Sequence, residues 1–210
     1  AKVYLNSRLD IRLPDDEEAI DDGLAVSLDG LASASLGREL LEARRLERSA
    51  DEWSEAARLS GAMPPGDLAT SALARVTTEV DAMELLAGSW NVPLGGAEHV
   101  LIDLPGITGE ITGLDGDRLI DVRYAKPKPS YRLGLAVKLA LLAMQHPERA
   151  WTGVLITRSG STAPAEAAGL RLKGSATDFL DRVRVLARWA DYDAVPLLDK
   201  ASDDLINRRY

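Results

Sequence analysis

The residues of this chain best suited to chemistry lie between positions 107 and 132. Glu110 and Asp121 sit in short stretches of alternating polarity, and Arg123, Lys126, Lys128 and Arg132 follow closely. Two carboxylates can hold a hard cation such as Mg²⁺, which prefers oxygen ligands. A bound Mg²⁺ polarises a phosphate and activates water, and a neighbouring Lys such as Lys126 can orient or deprotonate that water. The chemistry open to such a set is phosphodiester hydrolysis. The plainer alternative is that Asp121 pairs with Arg123 or Arg118 at a sheet surface and that the cations form a solvated face.

Other chemistries find less support. The absence of cysteine excludes disulfides, thiolate metal sites and a Cys nucleophile. The only two histidines, His99 and His146, fall in separate elements, which excludes a multi-histidine cage and suits surface or capping roles. Ser33, Ser35 and Ser159 have no obvious His partner, and no G-x-S-x-G elbow occurs. Gly153 and Gly160 do not make a phosphate loop, and Gly95-Gly96 is a turn signal.

The elements that must position these residues follow from periodicity and caps. Ser33 or Ser35 can open a helix running to about Arg48. Ser49-Ala50-Asp51-Glu52 is a capping box for a second, ending at Gly61. After Met63-Pro64-Pro65-Gly66, Asp67 caps a long helix whose apolar face holds Leu68, Ala72, Leu73, Val76, Val80, Met83 and Leu86, and Gly88 ends it. The period then falls to two. His99–Leu104, Ile107–Leu114 and Arg118–Ala125 read as three strands joined by short turns at Pro105-Gly106 and Asp115-Gly116-Asp117, an antiparallel meander. In the third strand, Leu119, Asp121, Arg123 and Ala125 share one face, and Ile120, Val122 and Tyr124 the other. Lys126-Pro127-Lys128-Pro129 is a stiff break, because the residue before each Pro is pushed out of the α region. An apolar helix through Leu133, Val137, Leu139 and Met144 follows, then a strand over Trp151–Thr157, a loop from Ser159, a helix capped at Ser175, and a short edge strand at Val195–Leu198. Residues 1–30 read as irregular or strand-like.

Helix, three strands, helix, strand is the order of the PD-(D/E)xK nuclease core, so the expected class is α/β (α+β) with that core and extra helices. Such a nuclease carries an acid in or after the second strand, then acid, any residue, Lys in the third. Laid on this sequence, the first acid falls at Thr112, the second at Arg123, and the Lys at Ala125. All three groups are missing, and the guanidinium of Arg123 would stand where the cation must go. The expectation is no catalytic residue, no metal and no cofactor. Arg123, Lys126, Lys128 and Arg132 remain as candidate DNA contacts, acting on phosphates that position a strand without reading its sequence. Trp53, Trp90, Trp151 and Trp189 could stack bases, although packing is the commoner use of a tryptophan.

Whole-chain properties set the frame. With 210 residues, 46% of them hydrophobic and 28% charged, the chain can bury a sizeable core. A net charge of −8 argues against free-standing, non-specific DNA binding, yet charge is uneven. Acids crowd residues 15–22, while Arg118, Arg123, Lys126, Lys128, Arg132 and Lys138 gather in the middle. No apolar run approaches the roughly 20 residues of a membrane span, and no signal peptide opens the chain, so a cytoplasmic place is expected. Both ends fall in mid-pattern, as in a fragment of something longer. The expected division is residues 1–66 as a connecting and helical segment packed on a core of residues 67–210.

Several stretches, in order, resemble the C-terminal domain of RecC, the gamma subunit of exodeoxyribonuclease V, and especially its actinobacterial type. They are Tyr4-Leu5-Asn6-Ser7-Arg8-Leu9, Leu28-Asp29-Gly30-Leu31, Leu36-Gly37-Arg38-Glu39-Leu40-Leu41, Met63-Pro64-Pro65-Gly66, Ile107-Thr108-Gly109 and His146-Pro147-Glu148-Arg149-Ala150-Trp151. The resemblance runs over nearly the whole chain. It implies a non-catalytic, nuclease-like domain that packs against RecB-like and RecD-like subunits, near the point where duplex DNA is split. Helicase and nuclease chemistry would then belong to the other subunits of a DNA repair and recombination complex.

Overall fold

The computed structural model describes residues 30–60, 63, 66–159 and 163–192, with only the backbone given for 188–192. The strand-like reading of residues 1–30 lies mostly outside these, as do the end of the second helix at Gly61 and the edge strand at Val195–Leu198.

Three helices come first: α1 (Gly30–Arg45), α2 (Ala50–Leu59) and α3 (Asp67–Ser89). Ser49 caps α2, its hydroxyl accepting the Asp51 amide at 3.2 Å. Helix α3 starts one residue earlier than expected, since Gly66 at φ 60° is the cap residue and Asp67 is the first helical residue. It also runs past Gly88, and the left-handed residue after it is Asn91 at φ 51°. Asn tolerates that region, so the last turn extends until the chain meets it.

The meander follows as β1 (Glu98–Leu104), β2 (Ile107–Asp115) and β3 (Arg118–Arg123), all antiparallel. Its turns hold Gly106 at φ 77° and Gly116 at φ 58°, conformations that glycine adopts without strain. Helix α4 (Pro129–Gln145), with Pro at its first position, carries the chain across to β4 (Thr152–Arg158), which lies parallel to β3. A parallel pair needs such a crossover. Strand β5 (Ala165–Leu170), in a stretch the sequence reading leaves as loop, adds antiparallel to β4, and α5 (Ala176–Tyr192) closes the described order. The result is a mixed five-stranded sheet in the order β1-β2-β3-β4-β5.

The sheet has a helical layer on each face, and β3 shows why. Leu119 joins Leu135, Leu139, Leu142, Trp151 and Leu155 beneath α4. Ile120, Val122 and Tyr124 join Leu40, Val76, Val80 and Met83 of α1 and α3. Alternation along one strand thus divides the core in two. Helix α2 adds a smaller cluster of Leu36, Ala57 and Leu73. No helix among the described residues is long and apolar enough to cross a membrane.

A polar group is buried at the heart of the α1/α3 half. The hydroxyl of Tyr124 donates to Glu79 on α3, and Arg158 of β4 reaches the same carboxylate at 3.1 Å while lying 4.6 Å from the Tyr124 ring centroid. Gly37 lets α1 close over that ring, where a Cβ would strike it at 1.9 Å. Burial, then the hydrogen bond to Glu79, push the Tyr124 hydroxyl up to about 12 from 10.0. The neutral phenol is thereby favoured in the folded state. Its contribution is whole below pH 10 and is lost as pH rises from 10 towards 12. We expect urea unfolding to show the parent losing about 2 kcal/mol more than Tyr124→Phe across that window. Equal losses would mean that the phenol titrates alike folded and unfolded.

Candidate functional site

The residues singled out for chemistry gather where β2 leaves β3. The two strands pair only at Leu114–Leu119 and Asp115–Arg118. At Gly113 the chain turns to φ 88°, and the β1–β2 register shifts between Glu98 and His99, opposite Thr112 and Leu114. This is a bulge, one extra residue that bends the strand and re-aims its side chains. It lets both Ile111 and Leu114 bury under α4 although they are three residues apart. The bend has a second glycine behind it. A Cβ on Gly96 would meet the Gly113 carbonyl carbon and the Leu114 oxygen at 2.3 Å, so two backbones touch where side chains would forbid it.

Past the bulge, β3 keeps β4 on one side and has lost β2 on the other. An unpaired strand edge in a protein interior leaves carbonyls without donors. Arg45, in the last turn of α1, supplies a donor to one of them. Its guanidinium donates to the Val122 carbonyl at 2.8 Å and to the Leu94 carbonyl at 3.1 Å, and pairs with Glu42 at 3.2 Å. The space that remains is a cleft of about 430 Å³ whose walls include Glu42, Thr112, Gly113, Asp121 and Lys138. It adjoins a groove of about 680 Å³ between α1 and the start of α4, walled by Arg38, Glu39, Arg123, Ala125 and Tyr131.

Thr112 thus shares its cleft with Asp121, whereas Arg123 and Ala125 line the next groove. The Asp121 carboxylate accepts from Arg123 Nε at 2.8 and 2.9 Å, and the same guanidinium lies 4.7 Å from the Tyr131 ring centroid. The hydrogen bond it donates to Asp121, which outweighs partial burial, holds Arg123 charged even more firmly than usual. Glu110 stands elsewhere, on the exposed face of the β1–β2 hairpin 3.9 Å from His99. Among the described residues no three or more His, Asp or Glu side chains converge as a metal-binding group.

Of the four candidate DNA contacts, Arg123 and Arg132 are engaged with the protein, Arg123 through Asp121 and Tyr131. Lys126 and Lys128 are exposed in the link to α4, and Lys128 stands at the cap position of that helix. The link is short, so all four lie at one end of the sheet, at the C-terminal end of β3. Three of the four tryptophans contact other parts of the protein. Trp151 is buried with Arg149 over its ring at 4.2 Å, and Trp53 packs between α2 and the core. Trp90 is 40% exposed and leans on Gly169 of β5. The side chain of Trp189 lies outside the described residues.

Sequence reasoning missed Arg45, Gly96 and Gly113. The glycines carried a usable signal, since a Gly within a strand pattern marks a bulge or a close backbone approach. Arg45 carried none, because its partners lie 49 and 77 residues away.

A family model described as the RecC C-terminal domain matches residues 1–199. The chain is 28% identical over 154 residues to a protein of Mycobacterium tuberculosis named RecBCD enzyme subunit RecC, covering 72% of this chain and 14% of that protein. It is also 28% identical over 199 residues to the protein of that name from Mycolicibacterium smegmatis, covering 92% of this chain and 18% of the relative. The chain therefore spans less than a fifth of the length of these relatives.

The bulge and its brace predict separate costs. Gly113→Ala places a Cβ 2.9 Å from the Ile120 oxygen at a left-handed φ and should cost about 1–3 kcal/mol. Arg45→Met leaves the Val122 carbonyl without its donor and should cost a similar amount, about 1–3 kcal/mol. Denaturant unfolding checks both, and a neutral Arg45→Met would show that water replaces the guanidinium.

Proposed function

Because the chain belongs to the RecC C-terminal domain family, we propose that it is a non-catalytic, DNA-handling and scaffold domain of the RecC subunit of exodeoxyribonuclease V. In this reading it adopts a PD-(D/E)xK-like core whose site has been given over to structure, and it helps to guide DNA at a duplex–single-strand junction during recombinational repair. Its partners are the RecB-like and RecD-like subunits. The observation that carries the reading is the cleft at the β2–β3 divergence. In this reading it stands where a nuclease of this plan would keep its metal ligands, yet it is lined by Thr112 and by Asp121, whose carboxylate is paired with Arg123 of the adjoining groove. Arg123 gives Asp121 a fixed counter-charge, the service that a divalent cation performs in an active site. DNA contact then falls to the exposed Lys126 and Lys128, with Arg123 and Arg132 beside them.

A second reading is a pure subunit-packing module. It draws on the charge pairing of the cleft and groove, where Arg45 meets Glu42 and Arg123 meets Asp121. Cations already paired attract phosphate weakly. A third, a metal-dependent nuclease with a displaced site on Glu110 and Asp121, has to recruit two acids that engage different partners, His99 and Arg123.

Titration of forked DNA at two salt concentrations separates these readings. The DNA-guiding reading expects weak, salt-sensitive binding that Lys126→Glu with Lys128→Glu lowers by about tenfold or more, with the salt slope shallower by about 2. Absence of fork binding by the parent, both alone and in the assembled complex, would favour the packing module. A Mg²⁺- or Mn²⁺-dependent rise in melting temperature, or cleavage that needs the metal, would overturn the non-catalytic reading.

A further inference from the structure

The sheet ends on one side at β1, whose outer edge no described element pairs. Gln145 of α4 accepts the Asp103 amide at 3.1 Å, so that amide points away from β2. Alternate residues of an antiparallel strand direct their backbone groups to the same side. The outer edge is therefore made by the amides and carbonyls of His99, Leu101 and Asp103. Proteins commonly guard such an edge with Lys or Pro, and Glu98–Leu104 contains neither. The side chains of His99, Leu101 and Asp103 are exposed, Leu101 at 68%, whereas Val100, Ile102 and Leu104 face the core beneath α4.

We propose that this edge pairs with the same edge of a second copy of the chain, antiparallel about a two-fold axis at Leu101, so that the two sheets become one. A two-fold contact sets one patch against itself, and the strand must then be complementary to its own reverse. Residues 99–103 meet that condition. Leu101 faces Leu101, and each His99 faces Asp103 of the other copy, an acid opposite a ring that can donate to it or carry positive charge. On the α4 side Val100 faces Ile102, and Val100, Leu104 and Leu141, only partly buried in one copy, gain cover. Only the ends are unlike, Glu98 against Leu104, where the bulge already breaks the regular register. An axis at Asp103 would instead set that acid against itself and bring Pro105, which has no amide, opposite Leu101. Pairing moves the Asp103 amide from Gln145 to the His99 carbonyl of the other copy, so that donor stays satisfied.

Sedimentation and residue-resolved hydrogen exchange on the 210-residue chain, both over a range of concentrations, test this. The parent should dimerise, and protection of the Leu101 amide should rise with the dimer. Leu101→Lys, which sets two ammonium groups opposite each other, should weaken the dimer by at least about tenfold. Asp103→Lys should weaken it too, and adding His99→Glu, which exchanges the two charges, should restore it. The Ile102 amide faces β2, and its unchanged protection shows that the hairpin is intact in each variant. Where a variant loses that protection, the parent decides alone. A parent that stays monomeric, with Leu101 exchanging at the unprotected rate, overturns the proposal. So does a dimer that leaves Leu101 unprotected or that Leu101→Lys leaves unchanged, since another face then holds it. With an intact hairpin, failure of the charge exchange to restore the dimer overturns the axis at Leu101. Protection of Leu101 that is independent of concentration overturns the proposal as well, by assigning the edge to the chain's own residues.

Discussion

The departure of β2 from β3 at Gly113 is the constraint on which the rest of this structure turns. A left-handed residue in a strand breaks the ladder, and here it is tolerated because glycine fills it and Gly96 leaves room behind it. The bend gives the sheet its cleft and at the same time leaves β3 unpaired with β2 beyond Leu119. Arg45 answers the second consequence by offering its guanidinium to the Val122 and Leu94 carbonyls. Cleft and brace are thus one device. A helix that contributes to a core through Leu40 and Leu41 also completes, through Arg45, the backbone of a strand it does not belong to.

Around that device the packing is conventional but tightly specified. β3 is covered by helices on both faces, so its alternation serves two cores at once. The exposed β1–β2 hairpin faces helix on one side only, and its polar residues fall on the other. The trio of Glu79, Tyr124 and Arg158 pins α3 to β3 and β4 with charges that satisfy one another. At the opposite end, Arg149 pairs with Asp117 at 2.5 Å and stacks on Trp151, which ties the entry to β4 to the β2–β3 turn. Breaking one partner of such a pair costs more than the pair contributes, because it strands the other.

Membership of the RecC C-terminal domain family and the chemistry of the cleft bear on function from different sides. The mycobacterial relatives it matches are named as RecC subunits of the RecBCD enzyme. The cleft has the shape of a site and the charges of an interior. Glu42 and Arg45 pair with each other there, and Asp121 pairs with Arg123. Lys126 and Lys128, after β3, are exposed.

How much of this could be read from the sequence depends on the range of the physics involved. The order of helices and strands, the meander, the two-faced third strand and the capped starts at Ser49 and Ser175 were legible. Each rests on neighbours within a few residues, through period, turn glycines and side-chain caps. Strand β5 was not legible, because Ala165-Glu166-Ala167-Ala168-Gly169-Leu170 is poor in branched and aromatic residues and becomes a strand only by pairing with β4. Nor was the extent of α3, where Asn91 rather than Gly88 supplied the left-handed turn. Which acid meets which base was decided by the fold alone. Asp121 was known to have Arg118 and Arg123 within reach, and only the geometry of β3 gave it to Arg123 and left Arg118 to Asp115. The reach of Arg45 across 77 residues, and the cleft it borders, exist only once tertiary structure has brought a helix end to an open strand edge.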